Sequence, residues 1–283
     1  DRLLVFCRRI IDRVNTKYPD TLYGMLAYAN YLRPPLREKV PPNLVPQIAP
    51  ITYSRAHPMN DDAVPGNKIL RDAVEGWGKK AKMTSYYFYG WFLAEPVAPN
   101  PMLAKWGHDV PYVLGKGNCQ FWQPETQPNF ETSMHCLYMG CRLAWNPKLN
   151  PEDVYKEINE KFSGAAAPQM TAYWSFIDEI WTKTNDYSGC GFGYLRRWTP
   201  EKMKGARERM NLATAAAKTD VEKFRVGLAD DSLRLFEGFM KLRYEQAEGQ
   251  FANLATDATA WRKEINRLGD KYAAQYTFTR MGP

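Results

Sequence analysis

The chain has 283 residues and a mass of 32.6 kDa, with 45% hydrophobic, 24% charged and 14% aromatic residues and a mean hydropathy of −0.53. Those proportions exclude a disordered chain, and no run approaches the ~20 apolar residues a bilayer demands, so a membrane-spanning helix is excluded too. Of the formal charge of +7, +6 arises in residues 1–150, where 18 Lys+Arg face 12 Asp+Glu; it is scattered rather than gathered into a stripe, so nucleic-acid binding is not expected.

Read in chain order, residues 2–17 carry a helical pattern that begins directly at Asp1 with no initiator Met, and further sequence is expected upstream. A short apolar run follows at 21–28 and another at 45–53, each ending in a loop rich in proline. Residues 67–80 return to a helical pattern, 83–91 form an aromatic strand, 102–114 a helix, 118–122 a strand and 130–144 a helix. Strands separated by helices imply parallel strands joined by crossovers. Four such units make the carboxyl-terminal half of a (β/α)8 TIM-like barrel, an α/β architecture whose chemistry sits at the carboxyl ends of the strands.

Proline marks the next boundary: 16 of 20 lie in residues 1–150. Residues 151–283 read as an all-α helical extension. Asn150-Pro151-Glu152-Asp153 and Thr199-Pro200-Glu201 are helix starts, and Thr219-Asp220-Val221-Glu222 is a capping box. Beyond it Val221, Phe224, Leu228, Leu235, Phe239 and Leu242 predict one apolar stripe. Residues 186–198 read as a loop. Trp174 and Trp181, seven apart, predict core positions.

Five cysteines form neither a CxxC pair nor a zinc spacing, and Cys136 and Cys141 are poorly placed to bridge on one helix; free thiols are expected, with no metal and no cofactor. There is no G-x-S-x-G, no P-loop and no HExxH. Gly189-Cys190-Gly191-Phe192-Gly193 lacks the strand-to-helix context of a dinucleotide loop.

The loops after the strands hold the chemistry-bearing residues. His57, beside Arg55 and before Pro58, can shuttle a proton, while Arg55 can hold a sugar hydroxyl or a carboxylate; the simpler alternative for His57 is packing. Glu125, with Trp122 and Gln123 adjacent, suits general acid/base work or hydrogen bonding to a polyol. Glu95 and Asp109 are competing acids, and His108 and His135 fall within helices as structural residues. Tyr89 and Trp91, at the end of the aromatic strand, are expected to stack on a sugar ring, and Tyr28 ends the first strand in the same way.

Several segments together resemble a known family: Tyr18-Pro19-Asp20, Leu26-Ala27-Tyr28, Pro34-Pro35, Arg55-Ala56-His57-Pro58, the aromatic strand with Pro99-Asn100, Leu143-Ala144-Trp145-Asn146-Pro147 and Phe162-Ser163-Gly164-Ala165-Ala166. In that order, over roughly residues 1–180, they resemble the DUF4838 family, which is similar to the glycoside hydrolase barrels of α-glucuronidases and hexosaminidases. The resemblance implies a secreted or periplasmic bacterial protein acting on a polysaccharide or a uronic-acid-containing glycan by carboxylate chemistry. Catalytic roles would fall to Glu125 and His57, and substrate contacts to Tyr28, Arg55, Tyr89, Trp91, Trp122 and Gln123. It also implies that this chain enters the barrel near its fifth unit, the missing half coming from upstream sequence or a second chain, with a homodimer through the helical extension. Where the family has Trp-Asp-Tyr in its seventh strand, this chain has Tyr87-Phe88-Tyr89. A non-catalytic carbohydrate-binding or scaffold protein retaining the barrel is the alternative.

Overall fold

A computed structural model describes residues 1–90, 97–126, 130–183 and 191–275. The short apolar runs form four strands, β1 (Tyr23–Tyr28), β2 (Leu44–Ala49), β3 (Thr84–Tyr89) and β4 (Cys119–Glu125), all parallel and hydrogen-bonded in the order β1-β2-β3-β4. Around them lie α1 (Arg2–Asn15), α2 (Asn67–Lys80), α3 (Leu103–Lys116) and α4 (Met134–Trp145). The crossover from β1 to β2 departs from the strand-helix alternation: it holds only a 3-10 turn, Ala29–Tyr31, because Pro34, Pro35, Pro41 and Pro42 break any longer helix. β4 runs to Glu125, three residues past the expected end, so Gln123 and Glu125 belong to the strand itself.

Side chains alternate across a strand, and here the alternation separates two environments. Met25, Ala27, Leu44, Ile48, Tyr86 and Phe88 face the helices and pack against Val74 and Trp77 of α2, Trp106 and Val110 of α3, and Met139 and Leu143 of α4. The alternate residues face away from the helices. Leu26 and Phe121 there remain 48% and 45% exposed, and a hollow of about 470 Å³ lies over Leu26, Val45, Gln47, Ser85 and Phe121. The sheet therefore has one sheathed face and one open face.

A bulge sets which residues of β4 reach the open face. Thr84 pairs with Cys119 but Ser85 pairs with Phe121, so Gln120 is the extra residue. Cys119 joins the helix-side core, and the slip then turns Phe121, Gln123 and Glu125 outward while Trp122 turns inward.

From Pro151 onward the described residues form only helices: α5 (Pro151–Ser163), α6 (Ala167–Thr182), α7 (Gly191–Tyr194), α8 (Pro200–Ala216), α9 (Asp220–Ala247) and α10 (Leu254–Lys271), with short 3-10 turns between some of them. Their starts follow the capping signals. The Asn150 side chain accepts from Glu152 N at 2.9 Å, Thr199 Oγ1 from Lys202 N at 3.4 Å, and Thr219 Oγ1 from Glu222 N at 3.2 Å while Glu222 accepts in return from Thr219 N at 3.0 Å. Two expectations are corrected. The stretch 186–198 is not all loop, since α7 and a 3-10 turn at Leu195–Arg197 occupy its described part. The buried row of α9 is Val226, Ala229, Leu233, Phe236 and Met240, with Leu228 and Leu235 beside it; Val221 and Phe224 are exposed because the first turn of α9 lies outside the second core.

That second core gathers Tyr173, Trp174, Ile177 and Trp181 of α6 with Met203 and Met210 of α8 and the α9 row. The last turns of α6 tie it to the loops that follow the strands. Asp178 Oδ1 accepts from Leu103 N at 2.8 Å, capping α3; Trp181 Nε1 donates to Pro99 O at 2.7 Å; and Thr182 O accepts from the His57 ring at 3.1 Å. The helical segment is thereby fixed at the carboxyl ends of β2 and β3. Among the described cysteines Cys7, Cys119, Cys136 and Cys141 are free.

Candidate functional site

The open face is layered along the strand direction. At its foot lies Val45, and the rung above it runs Leu26, Gln47, Ser85 and Phe121, apolar at both edges. In the middle Gln47 Nε2 donates to Gln123 Oε1 at 2.8 Å and to Ser85 Oγ at 3.2 Å, tying three strands with amide and hydroxyl groups. At the carboxyl ends Tyr28 ends β1, Tyr87 and Tyr89 end β3, and Glu125 ends β4 directly across from Tyr89. Glu125 is the sole acidic residue in the four strands.

Arg55 closes this group from the loop after β2. Its guanidinium lies 4.5 Å from the centre of the Tyr89 ring. Its charge is disfavoured by burial, which pulls its pKa below the usual value against the opposing fields of Tyr89, Glu125, Tyr194 and Tyr28. The Tyr87 hydroxyl lies in the field of Glu125, and its pKa is raised by burial and by that carboxylate. Burial, with Tyr28 and Glu125 adding and Arg55 opposing, pushes Tyr89 up to about 12. These phenols stay protonated at neutral pH and serve as donors. The arrangement is a carboxylate and a guanidinium set among neutral hydroxyls and aromatic faces, suited to a ligand with several hydroxyl groups.

Four residues expected at the site therefore meet: Tyr28, Arg55, Tyr89 and Glu125. Gln123 lies one rung lower on the same face. Trp91 and the competing acid Glu95 lie outside the described residues. Trp122 does not join them: it faces the helices, edge-on to Trp106 at 5.7 Å and to Phe88 at 6.0 Å, because the bulge at Gln120 turns it inward.

His57 also points elsewhere. It is buried, its Nε2–H donates to Thr182 O at 3.1 Å, and its Nδ1 accepts from Ser54 Oγ at 3.1 Å while the same oxygen accepts from His57 N. Both ring nitrogens are engaged, so the imidazole joins the β2 loop to α6 and has no nitrogen left to move a substrate proton. Asp109 is fully buried. Burial opposes its ionisation, but Lys105 at 2.7 Å, His108 at 2.9 Å and Met59 N at 2.8 Å outweigh it and hold its pKa below the usual carboxylate range. His135 is held by Asn159 at 3.1 Å and packs on Trp174, with burial lowering its pKa to about 4.

Four contributors are not among the residues the sequence marks for the site. Tyr87 carried a signal, since it alternates with Tyr89. Gln47 and Ser85 had none beyond their strand positions. Tyr194, far along the chain, reaches Arg55 only through the docking of the helical segment. Among the described residues no three His, Cys, Asp or Glu side chains are grouped to hold a metal ion.

The family model described as Domain of unknown function (DUF4838) matches residues 1–175, from α1 through the sheet into α6. No curated protein and no solved structure matches the chain. With more than half of its length matched, the chain belongs to the DUF4838 family.

Proposed function

We propose that this member of the DUF4838 family is a carbohydrate-active protein of the glycoside-hydrolase type, with its glycan lying across the carboxyl ends of β1–β4 on the open face. The observation that carries the reading is the convergence there of Tyr28, Arg55, Tyr87, Tyr89 and Glu125. Tyrosine faces stack on the C–H side of a sugar ring, and hydroxyl, amide and charged groups meet its hydroxyls. A consecutive parallel sheet with helices on one side is the geometry of part of a (β/α)8 barrel, whose reactions occur at the strand ends. On this reading residues 1–150 are the carboxyl-terminal half of such a barrel, and residues 151–283 a helical extension through which two copies pair. The edges of β1 and β4 are then closed by further strands of the same polypeptide or of a second chain. Action on polysaccharide places the protein outside the cytoplasm, secreted or periplasmic.

Glu125 is the acid/base or nucleophilic carboxylate in this mechanism. Glycoside hydrolysis takes two, roughly 5 Å apart for retention and wider for inversion. Since the four strands supply one acid, the second comes from outside them. That count favours a second reading, a non-catalytic carbohydrate-binding protein with the same site.

One comparison separates the readings: oligosaccharide binding and turnover by the wild type and by Glu125→Gln. Hydrolysis predicts turnover that falls by at least about 10²-fold in the variant while binding persists. Binding without turnover in the wild type selects the alternative. Absence of binding to any neutral or acidic oligosaccharide overturns both.

A further inference from the structure

Arg55 is a half-buried cation with no ion pair among the described residues. Its Nη2 makes one long bond to Ile51 O at 3.4 Å, and its Nη1 is shielded from solvent without any hydrogen-bond partner. Glu125 acts on it through its field only. Other half-buried arginines use their guanidinium on carboxylates or on backbone carbonyls. Arg207 is clamped by Asp230 and Glu237, and Arg71 meets Asp62. Arg209 and Arg225, also half-buried and without an ion pair among the described residues, donate instead to Gly205 O at 3.0 Å and Lys161 O at 3.1 Å; Arg55 differs in leaving Nη1 buried and unpartnered, and it stands at the strand ends where the site residues converge.

Buried donors in folded proteins are nearly always satisfied, and an ionised donor left unmatched is the costliest kind. Such a group persists where a bound molecule completes it. A guanidinium is a planar fork that matches a carboxylate through two parallel N–H···O bonds, and that of Arg55 lies over the Tyr89 ring, 4.5 Å from its centre. The surrounding phenols are neutral donors that do not compete for it.

We propose that Arg55 is a carboxylate receptor, and that the site selects a sugar bearing an acidic group, a uronate, over the neutral sugar of the same ring. The proposal rests on the glycan reading above for its ligand, but the anion site itself does not. Arg55 is a binding residue here and takes no part in bond cleavage.

The test uses the full chain and two probes that differ only at C6, methyl β-D-glucuronide and methyl β-D-glucoside, titrated by calorimetry at low and at physiological salt. The expected result is at least tenfold tighter binding of the glucuronide, an advantage that shrinks as salt rises. In Arg55→Gln that advantage disappears, and in Arg55→Lys, which keeps the charge but not the fork, part of it remains. Equal affinity of the two sugars for the wild type, or an advantage that survives Arg55→Gln, overturns the proposal and leaves the glycan reading standing. Glucose 6-sulfate binding as tightly as the glucuronide overturns carboxylate selectivity. Because Arg55→Gln can fail to fold, sodium acetate is also titrated into wild-type protein carrying ¹⁵N-labelled arginine. A saturable shift of the Arg55 side-chain signals supports the receptor even where neither sugar binds, which would sink the glycan reading alone. An unmoved Arg55 signal overturns the receptor.

Discussion

Replacing Glu131 by Gln is expected to make the protein more stable, by an amount that grows with pH. Glu131 lies in the 3-10 turn Phe130–Thr132 just before α4, is only 2% exposed, and has no hydrogen-bond partner on either carboxyl oxygen among the described residues; Ser232 of α9 is a polar group near it. Burial pushes its pKa from the usual 4.5 up to about 8. For a carboxyl raised in the folded state, the native form holds its proton while the unfolded form has lost it. The associated stability is complete below pH 4.5 and drains away as pH climbs to 8. At about 1.4 kcal/mol per pH unit the loss is about 3 kcal/mol at pH 7 and about 5 kcal/mol above pH 8. Urea unfolding of wild type and Glu131→Gln at several pH values between 4 and 9 measures it. The difference between them should widen by about 1.4 kcal/mol per unit between pH 5 and 8 and then level off. A difference constant across that range would show that Glu131 is ionised in the folded state and that its burial is relieved by some contact.

Two further substitutions test the packing around the site. His57→Gln loses the paired bonds to Ser54 and Thr182 and should cost about 1–3 kcal/mol of stability, read by urea denaturation, while affinity in the sugar titration stays within about twofold; lost binding at unchanged stability would return His57 to the site. Gly140→Ala would place a methyl 2.6 Å from ring atoms of both Trp106 and Trp122, so the melting temperature should fall by several degrees despite alanine's better helix propensity. An unchanged or higher melting temperature would show that the indole pair yields without cost.

Much of the fold was legible along the chain because its signals are local. Gly66 precedes α2 and the chain turns extended at Ala81, so the limits of α2 agree with the pattern read from residues 67–80. The caps at Asn150, Thr199 and Thr219 act within one turn of the residue that carries them. The apolar stripe of α9 was harder to place, since a 28-residue helix presents several rows and only neighbouring helices choose among them. At the site, Arg55, Tyr89 and Glu125 were marked by their residue types beside strand ends. His57 carried the same mark, yet its partner Thr182 lies 125 residues away and no local pattern announces that contact.

The sequence by itself determined the four short strands, the helices between and after them, and the polar character of the loops at their carboxyl ends, because propensity, capping and breaking operate over a few residues. Tertiary structure alone decided which side each residue serves. A single extra residue, Gln120, reverses the alternation of β4, bringing Glu125 beside Tyr89 and sending Trp122 into the core. Pairing with β3 selects that register, since a one-residue slip exchanges the buried and exposed sets of a whole strand. The isolation of Arg55 is likewise tertiary: whether a charged side chain finds a partner depends on every element packed around it.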